Sequence, residues 1–448
     1  MVQQENKMGV MPINRLLITM AIPMMISMLV QALYNIVDSI FVSYYSQKAL
    51  TAVSLCFPIQ TLMIAFAGGT TVGVNSILSR RLGEKRFEEA NQTAMNGLFL
   101  GVVTAILFAV FGLFFSKSLF SFFTDDPETI QFGSEYMFIV TVFSLGMFIQ
   151  FVGEKLLQST GKTHLSMFAQ LVGALTNIIL DPIMIFGLLG FPKMGITGAA
   201  LATVTGQWLA MLIALLLNHS KNKEIKLHFF GFRPNLRIIG DIYKIGIPSI
   251  VMQSIISIMT FCMNKILAND TAIAVFGVYY KLQSFVFMPV FGLTNAVIPI
   301  VAFNFGAQNK SRILKTLRLS MIISVSIMAI GTCLFELFPA VFLKLFNAQD
   351  ELMNLGIPAL RMICVGFCFS GVSIILCSCF QALGKAFLSM IVSILRQLLI
   401  VLPAAFIIKM LFGLDFVWLS LTTAEIVGAA VCVVMYTHVY RNTIKPLA

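Results

Sequence analysis

Asp38 and Asp181 sit inside long apolar stretches of a chain that otherwise reads as lipid-embedded. A carboxylate at membrane depth is costly, so it faces a bundle interior or a water-filled cavity and marks an ion or substrate pathway. Asp38 lies in Tyr34-Asn35-Ile36-Val37-Asp38-Ser39, with Tyr34 one helical turn earlier on the same face. The alternative for Asp38 is an outer-end acid wetted by solvent, because a loop follows within a few residues. Asp181 lies in Asn177-Ile178-Ile179-Leu180-Asp181-Pro182. Pro182 cannot donate to the carbonyl of Ile178, and Asn177 shares a face with Asp181. The result is an oxygen-rich spot able to hold Na⁺ or a proton, or a kink in which Asp181 caps broken backbone. Glu425 is a third intramembrane acid without an evident partner, while Glu135, Glu154 and Glu336 read as interfacial. Among the uncharged residues, Tyr34, Gln60, Met147, Phe151, Gln283 and Met288 are candidates for a substrate cavity. Methionine adapts to varied ligands and aromatic faces attract cations.

The elements that position these residues are membrane helices. The chain has 448 residues, of which 58% are hydrophobic and only 11% charged. A soluble domain carries about 25% charged residues. A span needs about 20 apolar residues. Apolar runs near 15–43, 50–79, 92–116, 132–157, 164–190, 195–218, 240–268, 273–304, 313–338, 353–380, 386–411 and 415–440 give twelve candidate helices. The first run is too long for the apolar region of a cleavable signal and is expected to stay as a membrane helix. Alternate loops hold 21 Lys and Arg on one side and 6 on the other, with Lys281, Arg361 and Arg396 inside segments. The bias places both termini in the cytoplasm of a cell membrane. The net charge of +11 is therefore a matter of orientation and does not indicate nucleic acid.

The halves repeat at an offset of 223 residues. Gln60, Gly69, Thr71 and Gly83 match Gln283, Gly292, Thr294 and Gly306, and Gln158-x-x-Gly161-Lys162 matches Gln381-x-x-Gly384-Lys385. Pro23 corresponds to Pro248 after a two-residue gap. Such parallel repeats predict two lobes facing a central cavity. The expected fold is all-α and polytopic, with twelve transmembrane helices in two six-helix lobes. The expected boundaries are 1–218 for the first lobe, 219–241 for a basic cytoplasmic linker and 242–448 for the second. The second half lacks acids at the mirrored positions, so coupling is expected to concentrate in the first.

The eight cysteines all fall in apolar runs and imply no disulfide framework, and the four histidines (164, 219, 228, 438) lack metal-ligand spacing. HExxH, GxSxG and paired histidines are absent, so an enzyme is not expected. No cofactor, certain metal site or nucleic-acid partner is indicated; the expected partners are small molecules and lipids, and the chain is expected to be a monomer.

The stretches from Ala21-Ile22-Pro23 through Val30-Gln31-Ala32-Leu33-Tyr34-Asn35-Ile36-Val37-Asp38, Asn177 to Pro182, and Gly198-Ala199-Ala200-Leu201-Ala202-Thr203 resemble the MATE (multidrug and toxic compound extrusion) transporters. The resemblance covers essentially the whole chain. It implies a V-shaped two-lobe fold and alternating access. The implied activity is export of bulky, often cationic amphiphiles in exchange for H⁺ or Na⁺. It also implies a first-lobe cation site at Asp38, Asn177, Asp181 and Thr203, with Thr197 competing for the last role, and a bend of the first helix at Pro23. The missing second-lobe acids point to the DinF-type or an allied bacterial drug-exporter branch and leave the coupling ion open. The rival reading is a flippase for lipids or lipid-linked precursors on a related two-lobe plan, for which only Lys281, Arg361 and Arg396 offer intramembrane positive charge.

Overall fold

A computed structural model describes residues 6–227, 231–346 and 350–447, so His228 of the basic linker lies outside the described residues. Among the described residues all regular structure is helical. Ten helices are long and apolar enough to cross a membrane: Ile13–Tyr45, Gln47–Gly83, Phe87–Phe123, Thr163–Phe186, Ile196–Lys221, Leu236–Leu267, Asp270–Gly306, Lys310–Leu337, Ala386–Phe412 and Leu414–Ile444. Two further spans are broken. Pro127–Val142 and Leu145–Ser159 meet at 45°, and Asp350–Cys364 and Phe367–Ala382 meet at 47°. With each pair counted as one span, the described residues form twelve, numbered below in chain order. The breaks are absent from the sequence reading because neither contains proline. They fall at Ser144 and Gly366, and small residues tolerate a kink where a long side chain would be forced off its rotamer.

The chain divides into two compact units, one of Ile26–Ile250 and one of Met1–Met25 with Val251–Ala448. The expected lobe boundaries fall in the linker, whereas the divisions between these units fall inside the first and seventh spans, two residues past Pro23 and Pro248. Close backbone approaches account for this placement. In the first unit, a Cβ on Gly69 of the second span would lie 2.7 Å from the Ile250 nitrogen and 2.9 Å from the Gly246 oxygen. In the other, a Cβ on the repeat-related Gly292 of the eighth span would lie 2.5 Å from the Met25 Cα. Each glycine thus admits the backbone of a proline-bearing helix, and the same crossing occurs once in each unit.

Each unit has its own apolar core. One gathers Phe108, Tyr136, Phe148 and Ile185, and the other Phe276, Phe335, Phe367 and Trp418. Outward faces carry exposed Phe114, Leu216, Phe261 and Ile330, as a lipid-facing surface requires. Glu154, read as interfacial, and its neighbour Lys155 are shielded by the protein itself. Both are buried near the end of the fourth span, where Gln150 donates to Glu154 at 2.8 Å and Lys155 donates to Gln158 at 2.9 Å. Amide partners replace water there, which permits two ionisable groups inside the protein.

Candidate functional site

The fifth span, Thr163–Phe186, continues as helix past Pro182 and ends at Gly187, whose left-handed φ of 76° closes it. Asn177 and Asp181 lie one turn apart on its buried face, with Asp181 at 0% exposure and Asn177 at 3%. The sixth span, Ile196–Lys221, packs tightly against them. A Cβ on Gly206 would lie 2.7 Å from the Gly173 oxygen and 3.4 Å from the Asn177 Cβ. That contact brings Thr203, one turn before Gly206, to the Asn177 amide. Asn177 Nδ2 donates to Asp181 Oδ1 at 3.3 Å and to Thr203 Oγ1 at 3.2 Å. Thr197, the competing threonine, instead donates to Glu135 at 3.1 Å.

Asp38 of the first span completes the cluster. Its carboxyl group faces that of Asp181 within hydrogen-bonding reach, and Tyr34 lies in the electrostatic range of both. Asp38 Oδ1, Asn177 Oδ1 and Asp181 Oδ2 are buried and have no donor. A buried acceptor without a donor is costly, and two facing carboxylates repel. One proton or one small cation among these oxygens relieves both costs. The donors are carboxylate, amide and hydroxyl oxygens, which suit a hard ion such as Na⁺ rather than a soft transition metal. Among the described residues no three His, Cys, Asp or Glu side chains converge on a metal position.

The structure therefore brings together Tyr34, Asp38, Asn177, Asp181 and Thr203. Gln60 is in the same unit and donates to the Tyr136 hydroxyl at 3.1 Å. Tyr136 is buried and within electrostatic range of Asp38 and Tyr34, so it belongs to the surroundings of the site although the sequence reading did not single it out. Gln31 was missed as well. It lies two turns before Asp38 and accepts from Gln170 of the fifth span at 3.2 Å. Polar residues at helical spacing on the two acid-bearing spans were the available signal. Met147 is buried in the apolar core beside Phe148, with Phe151 packed against that core. Gln283 and Met288 are half-buried on the eighth span, in the other unit. Pro23 lies within the unbroken helix Ile13–Tyr45.

Among the described residues, helices forming up to twelve candidate spans and a buried oxygen cluster held between three of them have the build of a multi-pass membrane transporter. The family model of MatE matches residues 23–183 and 246–407, one match in each half, and the chain belongs to that family, the MATE transporters. It is 28% identical over 412 residues to the multidrug export protein MepA of Staphylococcus haemolyticus, covering 91% of this chain and 90% of the relative. It superposes with a TM-score of 0.92, at 26% identity and 99% coverage of each chain, on the outward-facing conformation of a multidrug resistance MATE family transporter of the MOP superfamily. A MATE crystal structure in the straight conformation is equally similar, at a TM-score of 0.92 and 26% identity, with 99% of this chain and 100% of that chain covered.

Proposed function

We propose that this chain is a secondary active multidrug exporter that moves amphiphilic, often cationic compounds out of the cell in exchange for H⁺ or Na⁺ by alternating access. The observation that carries this reading is the group of three donorless oxygens on Asp38, Asn177 and Asp181. They form an ion-binding site inside a membrane protein whose relatives are named for multidrug export. Asp38, Asn177, Asp181 and Thr203 hold the coupling ion. Tyr34, Gln60, Phe151, Gln283 and Met288 line the drug path, with Met147 supporting it from the core. The functional lobes are 1–218 and 242–448, joined by a cytoplasmic linker, and both termini are cytoplasmic.

Ion arrival neutralises the acids and removes their attraction for a cationic drug. It also lets the first span bend at Pro23, where one backbone hydrogen bond is already missing. The energy scale is adequate. One charge moved through 100 mV is worth about 2.3 kcal/mol, and a tenfold ion gradient about 1.4 kcal/mol.

Ethidium efflux from cells expressing the protein, with the pH and Na⁺ gradients collapsed separately, tests the reading. Loss of efflux with one gradient identifies the coupling ion. Absence of efflux from well-expressed protein under every gradient contradicts the proposal.

A further inference from the structure

Glu425 has a partner after all. Arg396 of the eleventh span donates from Nη1 to Glu425 Oε2 at 2.7 Å, and the two side chains are only 15% and 23% exposed. The pair stands at a revealing place in the repeat. Arg396 is 223 residues beyond Gly173, the offset already set by Leu165-Ser166 and Leu388-Ser389. On the twelfth span, Ala424 and Gly428 follow Ala202 and Gly206 at an offset of 222. Packing supports the equivalence. Gly206 abuts Gly173, and Gly428 abuts Arg396, whose Cδ would lie 2.9 Å from an added Cβ. Under this register Glu425 stands where the first half has Thr203, and Arg396 stands one turn from the position equivalent to Asn177. The local backbone differs too. Leu395–Ile400 is a π-helical stretch, a conformation that re-aims side chains within a helix and recurs at functional sites.

The first half thus presents oxygens that call for a mobile cation, while the second presents a carboxylate already joined to a cation of the protein itself. We propose that the Arg396 guanidinium is a tethered cation that permanently fills the second half's counterpart of the ion site, with Glu425 as its carboxylate, so that ion exchange is confined to the first half. This inference rests on the proposed ion site at Asp38 and Asp181. The other titratable groups facing the pair are Cys377 of the tenth span, Cys432 of the twelfth, and Tyr279 and Tyr280 of the eighth. Arg361 of the tenth span is engaged elsewhere, 3.8 Å from Glu336. Arg396 is therefore the charge that balances Glu425.

The test counts ions. Purified full-length protein in weakly buffered detergent receives ethidium, and the protons and Na⁺ exchanged per molecule are measured. Arg396→Gln is expected to add one exchangeable proton or Na⁺ to the wild-type count, because Glu425 must then recruit a mobile ion. Arg396→Lys, which keeps a tethered charge, and the double variant Arg396→Gln/Glu425→Gln are expected to return the wild-type count. An unchanged count in a folded Arg396→Gln variant overturns the proposal and leaves the pair a structural bridge. If Arg396→Gln does not fold, Glu425→Gln decides. The wild-type count supports the tethered cation, and one ion fewer makes Glu425 a mobile-ion site and overturns it. A wild-type protein that exchanges no ion at all refutes the antiport reading instead, so the two failures are distinguishable.

Discussion

At the crossing of the fifth and sixth spans, Gly173 and Gly206 bring backbones together, and the freed space is taken by an amide, a hydroxyl and a fully buried carboxylate. At the crossing of the eleventh and twelfth, one glycine is replaced by Arg396, and the same space is taken by a guanidinium and Glu425. Duplication supplied one scaffold, and substitution at a few positions gave it two electrostatic characters. One crossing is short of positive charge, and the other is balanced within the chain. If the first-half crossing takes the coupling ion, as proposed, the balanced crossing gives the other half a fixed charge state.

The comparison breaks most sharply at the acids. Asp38→Asn or Asp181→Asn is expected to reduce gradient-driven ethidium efflux to the level of cells lacking the protein while membrane expression is retained, and wild-type efflux from either variant removes that residue from the coupling site. Next in size is the charged pair. Glu425→Ala leaves a largely buried guanidinium unpaired and is expected to destabilise the purified protein by about 3 kcal/mol, whereas Arg396→Met/Glu425→Leu is expected to be neutral or stabilising. Thermal unfolding in detergent checks both, and equal losses from the single and double variants contradict the assignment.

A smaller effect is expected at Asn177. Asn177→Ala removes one ion-facing oxygen and the amide that links Asp181 to Thr203. Loss of about 1.5 kcal/mol in ion binding corresponds to roughly a tenfold weaker ion dependence of efflux, measurable by titrating external pH or Na⁺.

The smallest expected effect lies at the end of the second span, where Glu84 accepts from Arg80 at 2.9 Å and Arg81 at 3.0 Å. The repeat-related residue is Ala307, which has no charge to contribute. Partial burial raises the Glu84 carboxyl, but the hydrogen bonds and charges of Arg80 and Arg81 outweigh it and hold the group below its ordinary value of 4.5. A depressed carboxyl stabilises the folded protein above that ordinary value, and the contribution fades as pH falls through the folded value. Glu84→Gln should therefore lower thermal stability slightly at pH 7 and make no difference at strongly acidic pH. Parallel melting curves over that range check the sign.

The spans and the repeat were legible because each leaves a one-dimensional trace, apolar run length and a constant offset, and Asp38 and Asp181 stood out as acids where lipid disfavours them. That Asp38 joins Asn177 and Asp181 was implied by the family resemblance alone, since no spacing relates the first span to the fifth. The choice of Thr203 over Thr197 was not settled by spacing, since it depends on how the sixth span rotates against Gly173. The Arg396–Glu425 pair escaped for a similar reason. The two residues are 29 positions apart on different helices, which pack closely where Gly428 meets Arg396. The bends at Ser144 and Gly366 left no proline to read. Burial of Glu154 depends on its amide partner Gln150, and hydropathy does not register such a partner.

Proteoliposomes containing the wild-type protein or an Asp38→Asn/Asp181→Asn variant, loaded with ethidium-binding DNA and given an H⁺ or a Na⁺ gradient, test the central claim most directly. The account predicts ethidium accumulation by the wild type under at least one gradient and none by the double variant under either. Gradient-driven accumulation by the double variant at the wild-type rate would show that coupling lies elsewhere in the molecule.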